Sequence, residues 1–330
     1  MAFQYAIIYT LRSMFRVFLG PMEEISCVAC GGDFTIEKER REAHRLYECR
    51  VCKVQFWWPF KNPGTGFYGE VPALAARNLD PHSHPLFPSQ RRFLKTAPKR
   101  GGTLLDLGMG TGNFLAEAQK RGYRVTGCDF DGAAVAAAKS AFNLTDVHAC
   151  SVEEFLKQNP ARRFDVITMF EVIEHLDDFA IFDTIRLLLA PGGIVVLSTP
   201  NRRRWTPFMR GDDPPRHLTR WNEESLKNFL ERKGFSDIKV KFVPVVFNRF
   251  IMRFSEWTAG WLSFGLARKA ELSLTQTPRA RRAAAGGTLR LLSKIKLYGL
   301  FFIPACILYS YLWLTGRRNC TALYAVAKRI

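Results

Sequence analysis

From Gly102 onward, short apolar runs alternate with helical patterns, and this alternation limits the possible folds more than any other feature of the chain. Thr103–Leu107, Tyr123–Cys128, Val147–Cys150, Phe164–Met169 and Ile194–Thr199 read as strands. Asn113–Arg121, Gly132–Phe142, Val152–Lys157 and Phe179–Leu189 read as the helices between them. Such a sequence predicts βαβ units and a parallel sheet, with any ligand beyond the carboxyl ends of the strands. The first strand ends in Asp106-Leu-Gly108-Met-Gly110-Thr-Gly112, and these glycines permit a tight turn and close backbone approach to a ligand where a helix begins. The second strand ends in Asp129, placed for a carboxylate to accept ribose hydroxyls.

Taken singly, these residues suit either NAD or S-adenosylmethionine. The spacing is GxGxG, with Asn113 where a pyrophosphate cradle has its third glycine. Four segments then appear in order: Leu-Leu-Asp106-Leu-Gly-Met-Gly-Thr-Gly112, Gly-Cys-Asp129-Phe-Asp, Phe-Asp165-Val-Ile-Thr-Met-Phe-Glu171-Val-Ile-Glu174-His175-Leu, and Ala-Pro191-Gly-Gly-Ile-Val-Val-Leu-Ser-Thr-Pro-Asn201. Together they resemble class I S-adenosylmethionine-dependent methyltransferases over residues 100–240 and 320–330, with a core like that of ubiquinone-pathway O-methyltransferases. The resemblance implies an α/β fold, a doubly wound seven-stranded Rossmann-like sheet. Asp106 and the loop of Gly108, Gly110 and Gly112 would hold the methionine part of the cofactor. Asp129 would bind the ribose, Ser151 and Val152 would border the adenine, and Phe130 and Phe170 would complete the cofactor set. The family often has Asp where Ser151 stands. Asn222–Lys233 reads as a helix and Asp237–Val243 as the sixth strand, and Thr321–Lys328 best matches the antiparallel seventh.

Ahead of this core, Cys27-x2-Cys30 and Cys49-x2-Cys52 have zinc-ribbon spacing. Two such knuckles supply four thiolates, a closed set suited to structural Zn²⁺, and a module this small has too little core to fold well without metal. The expected ribbon spans residues 22–70, followed by a polar linker over 71–100. The module also resembles the ribbon fused to some bacterial methyltransferases. The remaining cysteines are scattered through apolar runs, which excludes a secreted disulfide framework and fits a reducing cytosol. Residues 1–21 read either as an amphipathic surface helix or as an upstream start, since Met22 opens a natural beginning.

Methyl transfer asks the protein mainly to align the acceptor and remove its proton. Glu171, Glu174 and His175 stand at i, i+3 and i+4, one face if a helix begins there. They form a candidate Mg²⁺ site, and ExxEH at this place resembles ubiquinone-pathway O-methyltransferases and small-RNA 2′-O-methyltransferases. In the latter a further His four residues before a Trp completes the site, as His217 precedes Trp221 here. His217 acting as a general base without metal, and a purely structural helix start, are the alternatives.

Between the sixth and seventh strands, residues 245–319 form a hydrophobic, basic helical insertion. It holds Phe247–Ala267, rich in Phe and Trp, and Leu297–Gly316 without a charge. The formal charge is +18, and 21 Lys/Arg against eight Asp/Glu lie between Arg202 and Leu300. Such an excess beside apolar runs points to an anionic membrane surface more than to a nucleic-acid groove. A seventh strand that rejoins the sheet excludes a single crossing, so the insertion should lie in the interface or form a shallow hairpin, kinked at Pro304. Its other readings are an active-site lid and a dimer interface. The chain therefore reads as a cytoplasmic O-methyltransferase peripheral to the inner face of the membrane, acting on a lipid-linked or amphipathic small molecule such as a quinone precursor or glycan-lipid intermediate. An RNA-modifying enzyme and a non-catalytic membrane partner are the alternatives.

Overall fold

The computed structural model describes residues 25–64, 67, 77–97, 101–204, 212–244, 247, 250, 251, 254, 287–315 and 320–330. The expected extension over 1–21 and most of Phe247–Ala267 lie outside the described residues. Strands β1 (Thr35–Arg41), β2 (His44–Cys49) and β3 (Gln55–Trp58) make an antiparallel meander. Helix α1 (Pro88–Thr96) leads into β4 (Thr103–Leu107), α2 (Asn113–Gln119), β5 (Arg124–Asp129), α3 (Gly132–Phe142), β6 (Val147–Ala149), α4 (Val152–Gln158) and β7 (Phe164–Phe170). Then come α5 (Ile181–Leu188), β8 (Leu189–Pro200), a two-residue β9 (Thr219–Arg220), α6 (Glu223–Arg232), β10 (Phe235–Pro244), α7 (Gly287–Leu314) and β11 (Cys320–Arg329).

The main sheet has seven strands in the order β10-β11-β8-β7-β4-β5-β6. β8, β7, β4, β5 and β6 are parallel, and β11 runs antiparallel to both neighbours. This is the expected doubly wound sheet, and β11 closes it across the insertion as the Thr321–Lys328 pattern predicts. Strand order reverses between β4 and β7, which opens a crevice beyond their carboxyl ends. β8 begins at Leu189, earlier than expected. Its pairing with β7 jumps from Phe164↔Leu189 to Val166↔Ile194, so Ala190–Gly193 form a bulge before regular pairing starts.

Helix α1 corrects the reading of 71–100 as linker. Pro88 opens it at a position where no amide is needed, the Phe87 amide donates to Gln90 Oε1 at 2.8 Å, and Phe93 and Leu94 are buried. Phe93 packs edge-on against Phe114 and Phe170 at 5.5 and 6.3 Å. Burying a side chain of that size contributes about 1.5–3 kcal/mol, enough to hold a polar nine-residue helix with little intrinsic preference.

The cysteine module is built into the domain. β3 pairs with β9, so the small sheet runs β1-β2-β3-β9 and its last strand comes from the chain that follows β8. The Trp57 amide donates to the Leu218 carbonyl at 2.9 Å, and Phe60 meets Phe179 of the main core at 6.0 Å. Helix α7 is continuous through Pro304 and packs on Phe250, Ile251 and Phe254 through Ala305 and Leu312. Among the described residues, no helix is long and apolar enough to cross a membrane.

Candidate active site

β4 delivers Asp106 to the sheet's switch point, where it is buried and accepts the Thr168 hydroxyl at 2.6 Å. Burial pushes its pKa up to about 8, since the charged form lacks solvent. The loop beyond it needs its glycines. Gly112 caps α2 at φ +78°, and a Cβ there would fall 2.7 Å from Leu144 and 2.9 Å from Ala138. Gly108, at φ +72°, has no room either, because its Cβ would lie 2.6 Å from Val172. The loop is pinned by Asp129, whose Oδ2 accepts the Gly110 amide at 2.8 Å while Oδ1 accepts the Asp131 amide at 2.9 Å. Each oxygen keeps lone-pair capacity.

A cavity of about 800 Å³ opens over these strand ends. Gly108, Gly110, Asp129, Phe130, Ser151, Val152 and Phe170 all line it, as does Leu107 beside Asp106. Gly112 and Asp106 stand behind that wall. Ser151 caps α4, accepting the Glu154 amide at 3.1 Å while its own amide donates to Glu154 Oε2 at 2.8 Å. One lone pair of its hydroxyl is thereby used by the helix, and its O–H remains to donate. Arg77 was not legible in the sequence. It lines the cavity over the glycine loop, with a nitrogen 3.3 Å from where a Gly110 Cβ would stand, and its buried Nε has no hydrogen-bond partner among the described residues.

The expected Mg²⁺ set of Glu171, Glu174 and His175 does not form. Glu171 sits in the left-handed region at φ +58°, and only a 3₁₀ turn over Ile173–His175 follows, so the three do not share a helix face. Glu171 turns to Ser198, whose hydroxyl donates to its Oε1 at 2.7 Å. Glu174 and His175 meet His217 instead, and one donor atom from each lies within 4.8 Å of the others. The two imidazoles are 4.6 Å apart, edge to face.

Two scaffolds hold this trio. The Leu218 amide donates to the Glu174 carbonyl at 2.7 Å, which ties the 3₁₀ turn to the segment entering β9. From the cysteine module, Asn62 Nδ2 donates to the His175 carbonyl at 2.8 Å. His175 Nδ1 donates to the Arg216 carbonyl at 2.6 Å, which leaves the lone pair on Nε2. Burial holds both rings neutral, with His175 pushed down to about 4 and His217 to about 2. Asp212 lies 3.4 Å from His217 Nδ1, but its charge is engaged by Arg204. Glu174 is 1% exposed, and neither carboxylate oxygen has a hydrogen-bond partner among the described residues. Burial and the neighbouring Glu171 raise its pKa well above the usual carboxylate range. A buried, unpaired carboxylate facing two neutral imidazoles is what a divalent cation would complete.

The four cysteines converge. Their Sγ atoms lie within 4.8 Å of one another, with Cys27–Cys52 at 3.5 Å and Cys30–Cys49 at 3.6 Å. A tetrahedral site with ~2.3 Å metal–sulfur bonds needs sulfurs about 3.8 Å apart, so the donors fit Zn²⁺. The knuckles match: the residue after each pair takes positive φ, Gly31 at +69° and Lys53 at +63°, and donates its amide to the carbonyl of the first cysteine. The Val51 and Cys52 amides also point at Cys49 Sγ, at 3.3 and 3.4 Å.

Residues 83–240 match the family model described as "Methyltransferase domain". A Mycolicibacterium smegmatis protein described as a probable S-adenosylmethionine-dependent methyltransferase is 34% identical over 170 residues, covering 50% of this chain and 62% of that one. A ubiquinone biosynthesis O-methyltransferase of Histophilus somni is 40% identical over 119 residues, covering 33% of this chain and 50% of that protein. The chain thus spans half to under two thirds of the length of these relatives. Among solved structures, a SAM-dependent methyltransferase from Archaeoglobus fulgidus aligns with 73% of this chain and 92% of its own, at 20% identity and a TM-score of 0.45. Residues 83–240 therefore match a methyltransferase domain, and the relatives support one of the class I S-adenosylmethionine-dependent kind.

Proposed function

We propose that this class I methyltransferase O-methylates a lipid-linked or amphipathic small molecule at a membrane surface, using a divalent cation held by Glu174, His175 and His217 to orient and acidify the acceptor hydroxyl. The observation that carries this reading is that the glycine-loop pocket and the Glu174–His175–His217 trio open into one cavity. The O-acceptor is favoured by the relatives named as ubiquinone biosynthesis O-methyltransferases, which suggest a quinone precursor. Two imidazoles among three donors suit a transition metal better than Mg²⁺, so the earlier Mg²⁺ expectation is replaced by Zn²⁺, Mn²⁺ or Fe²⁺. The second reading is His217 alone as general base. It is weaker because a base works best with a pKa near the working pH, and burial keeps this ring from holding a proton. A structural Zn²⁺ on Cys27, Cys30, Cys49 and Cys52 completes the proposed metal content.

In this reading the cofactor supplies an already activated methyl group on a sulfonium, and the protein's residues do the rest. Asp129 receives the ribose on its remaining lone pairs. The Arg77 guanidinium, poised over Gly110, pairs the methionine carboxylate, and Asp106 stands behind the loop. Glu174, His175 and His217 hold the acceptor oxygen in line. A bound cation would lower the pKa of that hydroxyl. Phe170 and Val172 give the cavity apolar walls that limit competing water.

Asp129→Ala should lose charged hydrogen bonds worth roughly 1.5–3 kcal/mol, a fall in S-adenosylmethionine affinity of about 10- to 150-fold by calorimetry. Unchanged affinity would place the ribose elsewhere, and NAD binding in the same assay would sink the methyltransferase activity.

A proton should also be released. In the ligand-free protein Asp106 is protonated below about pH 8, against an ordinary value of 3.8. The folded chain therefore keeps a proton that the unfolded chain has lost, and this group's contribution to stability falls as pH rises through that window. The cationic methionine end of the cofactor favours the ionised form, so binding at neutral pH should release up to one proton and tighten as pH rises towards 8. Calorimetry in two buffers of different ionisation enthalpy measures this. Identical apparent enthalpies, or a release that persists in Asp106→Asn, would refute it.

A further inference from the structure

We propose that the outer face of α7 docks on an anionic lipid surface, and that the acceptor enters the cavity from that surface. The docking stands on α7 alone, whereas the entry route rests on the reading of the cavity as a methyl-acceptor site. Along α7, Phe301, Ala305, Leu308, Tyr309 and Leu312 recur at helical spacing and cover Phe247, Phe250 and Phe254, with the Phe250 and Tyr309 rings 5.2 Å apart. Such a helix should carry polar residues on the opposite stripe if water bathed it. It carries Ile303, Ile307, Tyr311, Trp313 and Leu314, each 51–75% exposed. Leu297–Gly316 holds no charge that would interrupt this stripe. The C-terminal part of α7 is thus apolar on both sides apart from the exposed Ser310, and with one side covered the other is left in need of a partner.

Charge selects the partner. From Leu272 to Ile330 the chain has ten Lys and Arg and not one Asp or Glu. A second copy meeting this face about a two-fold axis would set one cationic segment against its twin. An anionic bilayer offers apolar depth to the stripe and phosphate to the cations that flank it, and Trp313 and Tyr311 suit the headgroup boundary.

Topology fixes how the helix lies. β10 ends at Pro244, which pairs with Cys320 at the start of β11, so the chain returns beside the point it left. A single crossing is impossible while β11 stays in the sheet. α7 has 28 residues and is about 42 Å long, and it lies along the surface. The roots of the appendage are also the rim of the cavity: Val243, Pro244 and Ala322 line it. Docking therefore sets the cavity mouth at headgroup depth, where an acceptor with an apolar tail can present its hydroxyl without leaving the lipid.

The test uses the full chain with vesicles of phosphatidylcholine alone and of phosphatidylcholine enriched in phosphatidylglycerol. Wild type should co-sediment with the anionic vesicles and lose affinity in salt, with a blue shift in tryptophan emission that is reduced in Trp313→Phe. The Ile303→Asp/Ile307→Asp pair should lower partitioning at least tenfold and leave S-adenosylmethionine affinity unchanged. Ile303→Ser/Ile307→Ser serves if the aspartates prevent folding. No vesicle binding by wild type, binding that survives both pairs, or equal binding to neutral vesicles would overturn the docking. So would a dimer, seen by light scattering, that the substitutions dissociate. For the entry route, the pair should slow methylation of a vesicle-embedded phenol at least tenfold and leave a soluble short-chain phenol unaffected. Equal slowing of both overturns the route. Wild type that binds vesicles but methylates neither phenol removes the acceptor reading and the route with it, and leaves the docking standing.

Discussion

Replacing Cys27 and Cys30 together by serine is expected to abolish tight zinc binding, unfold the front module and take the acceptor side of the active site with it. Structural zinc in four-cysteine sites contributes on the order of 10 kcal/mol to folding at neutral pH, far more than this small sheet gains from its core. The consequence should reach beyond the module because, among the described residues, β3 is the strand that pairs with β9 in the small sheet. The Trp57 amide holds the Leu218 carbonyl, Arg202 Nη1 donates to the Lys53 carbonyl at 2.6 Å within the second knuckle's turn, and Asn62 holds the His175 carbonyl. The seven-stranded sheet draws none of its strands from the module, so cofactor binding should survive. Metal analysis should show about one zinc fewer per chain. Hydrogen exchange should show lost protection over residues 25–62 and 212–221, with 103–129 still protected. Protection of both front segments in zinc-free protein would refute the metal's role. Loss in 25–62 alone would show that the segment carrying His217 stands without the module.

How far the sequence revealed this arrangement depended on whether a residue lay on a periodic element. The apolar runs at Thr103–Leu107 and Phe164–Met169 are buried on both faces of a parallel sheet, so they stand out from any surface pattern. β11 was legible across a long insertion for the same reason: Ala322, Leu323, Tyr324, Ala325 and Ala327 are all buried. The four cysteines were legible because metal geometry fixes their spacing. Helix α1 was missed because Pro-Ser-Gln-Arg-Arg reads as polar loop, although Pro88 and Gln90 are a helix start in hindsight. Spacing misled at Glu171, where i, i+3, i+4 implies a shared face only if the backbone is helical, and a left-handed residue breaks that rule. Arg204 and Arg216 reach the cavity from a bend and a turn, where no period marks the inward side. The β3–β9 pairing involves two residues on each strand, too few for any pattern to announce.

The second large effect is expected at His217. His217→Ala should lower methyl transfer about 10²- to 10⁴-fold with cofactor affinity unchanged, since the residue sits across the cavity from the glycine loop. That loss is common to the cation and general-base readings, so the decisive measurement is metal content. If His217 is a ligand, the variant should lose a second, more weakly held cation and keep the zinc of the four cysteines. Co²⁺ separates the two sites by spectrum, because thiolate charge-transfer bands report the cysteines and weaker d–d bands report nitrogen and oxygen donors. His217→Ala and Glu174→Gln should each remove only the weaker bands. Glu174→Gln carries extra weight because the two readings give it opposite outcomes. Burial that pushes the Glu174 pKa up costs the metal-free fold stability at neutral pH, so an amide should leave that fold as stable or more stable while destroying the cation site. If the weaker bands never appear in wild type, and Glu174→Gln keeps its activity while His217→Ala does not, the proton is taken by His217 alone. In that case acceptor binding must raise the ring's pKa, by bringing Asp212 closer or by withdrawing Arg204 and Arg216, and the pH profile of kcat should follow that group.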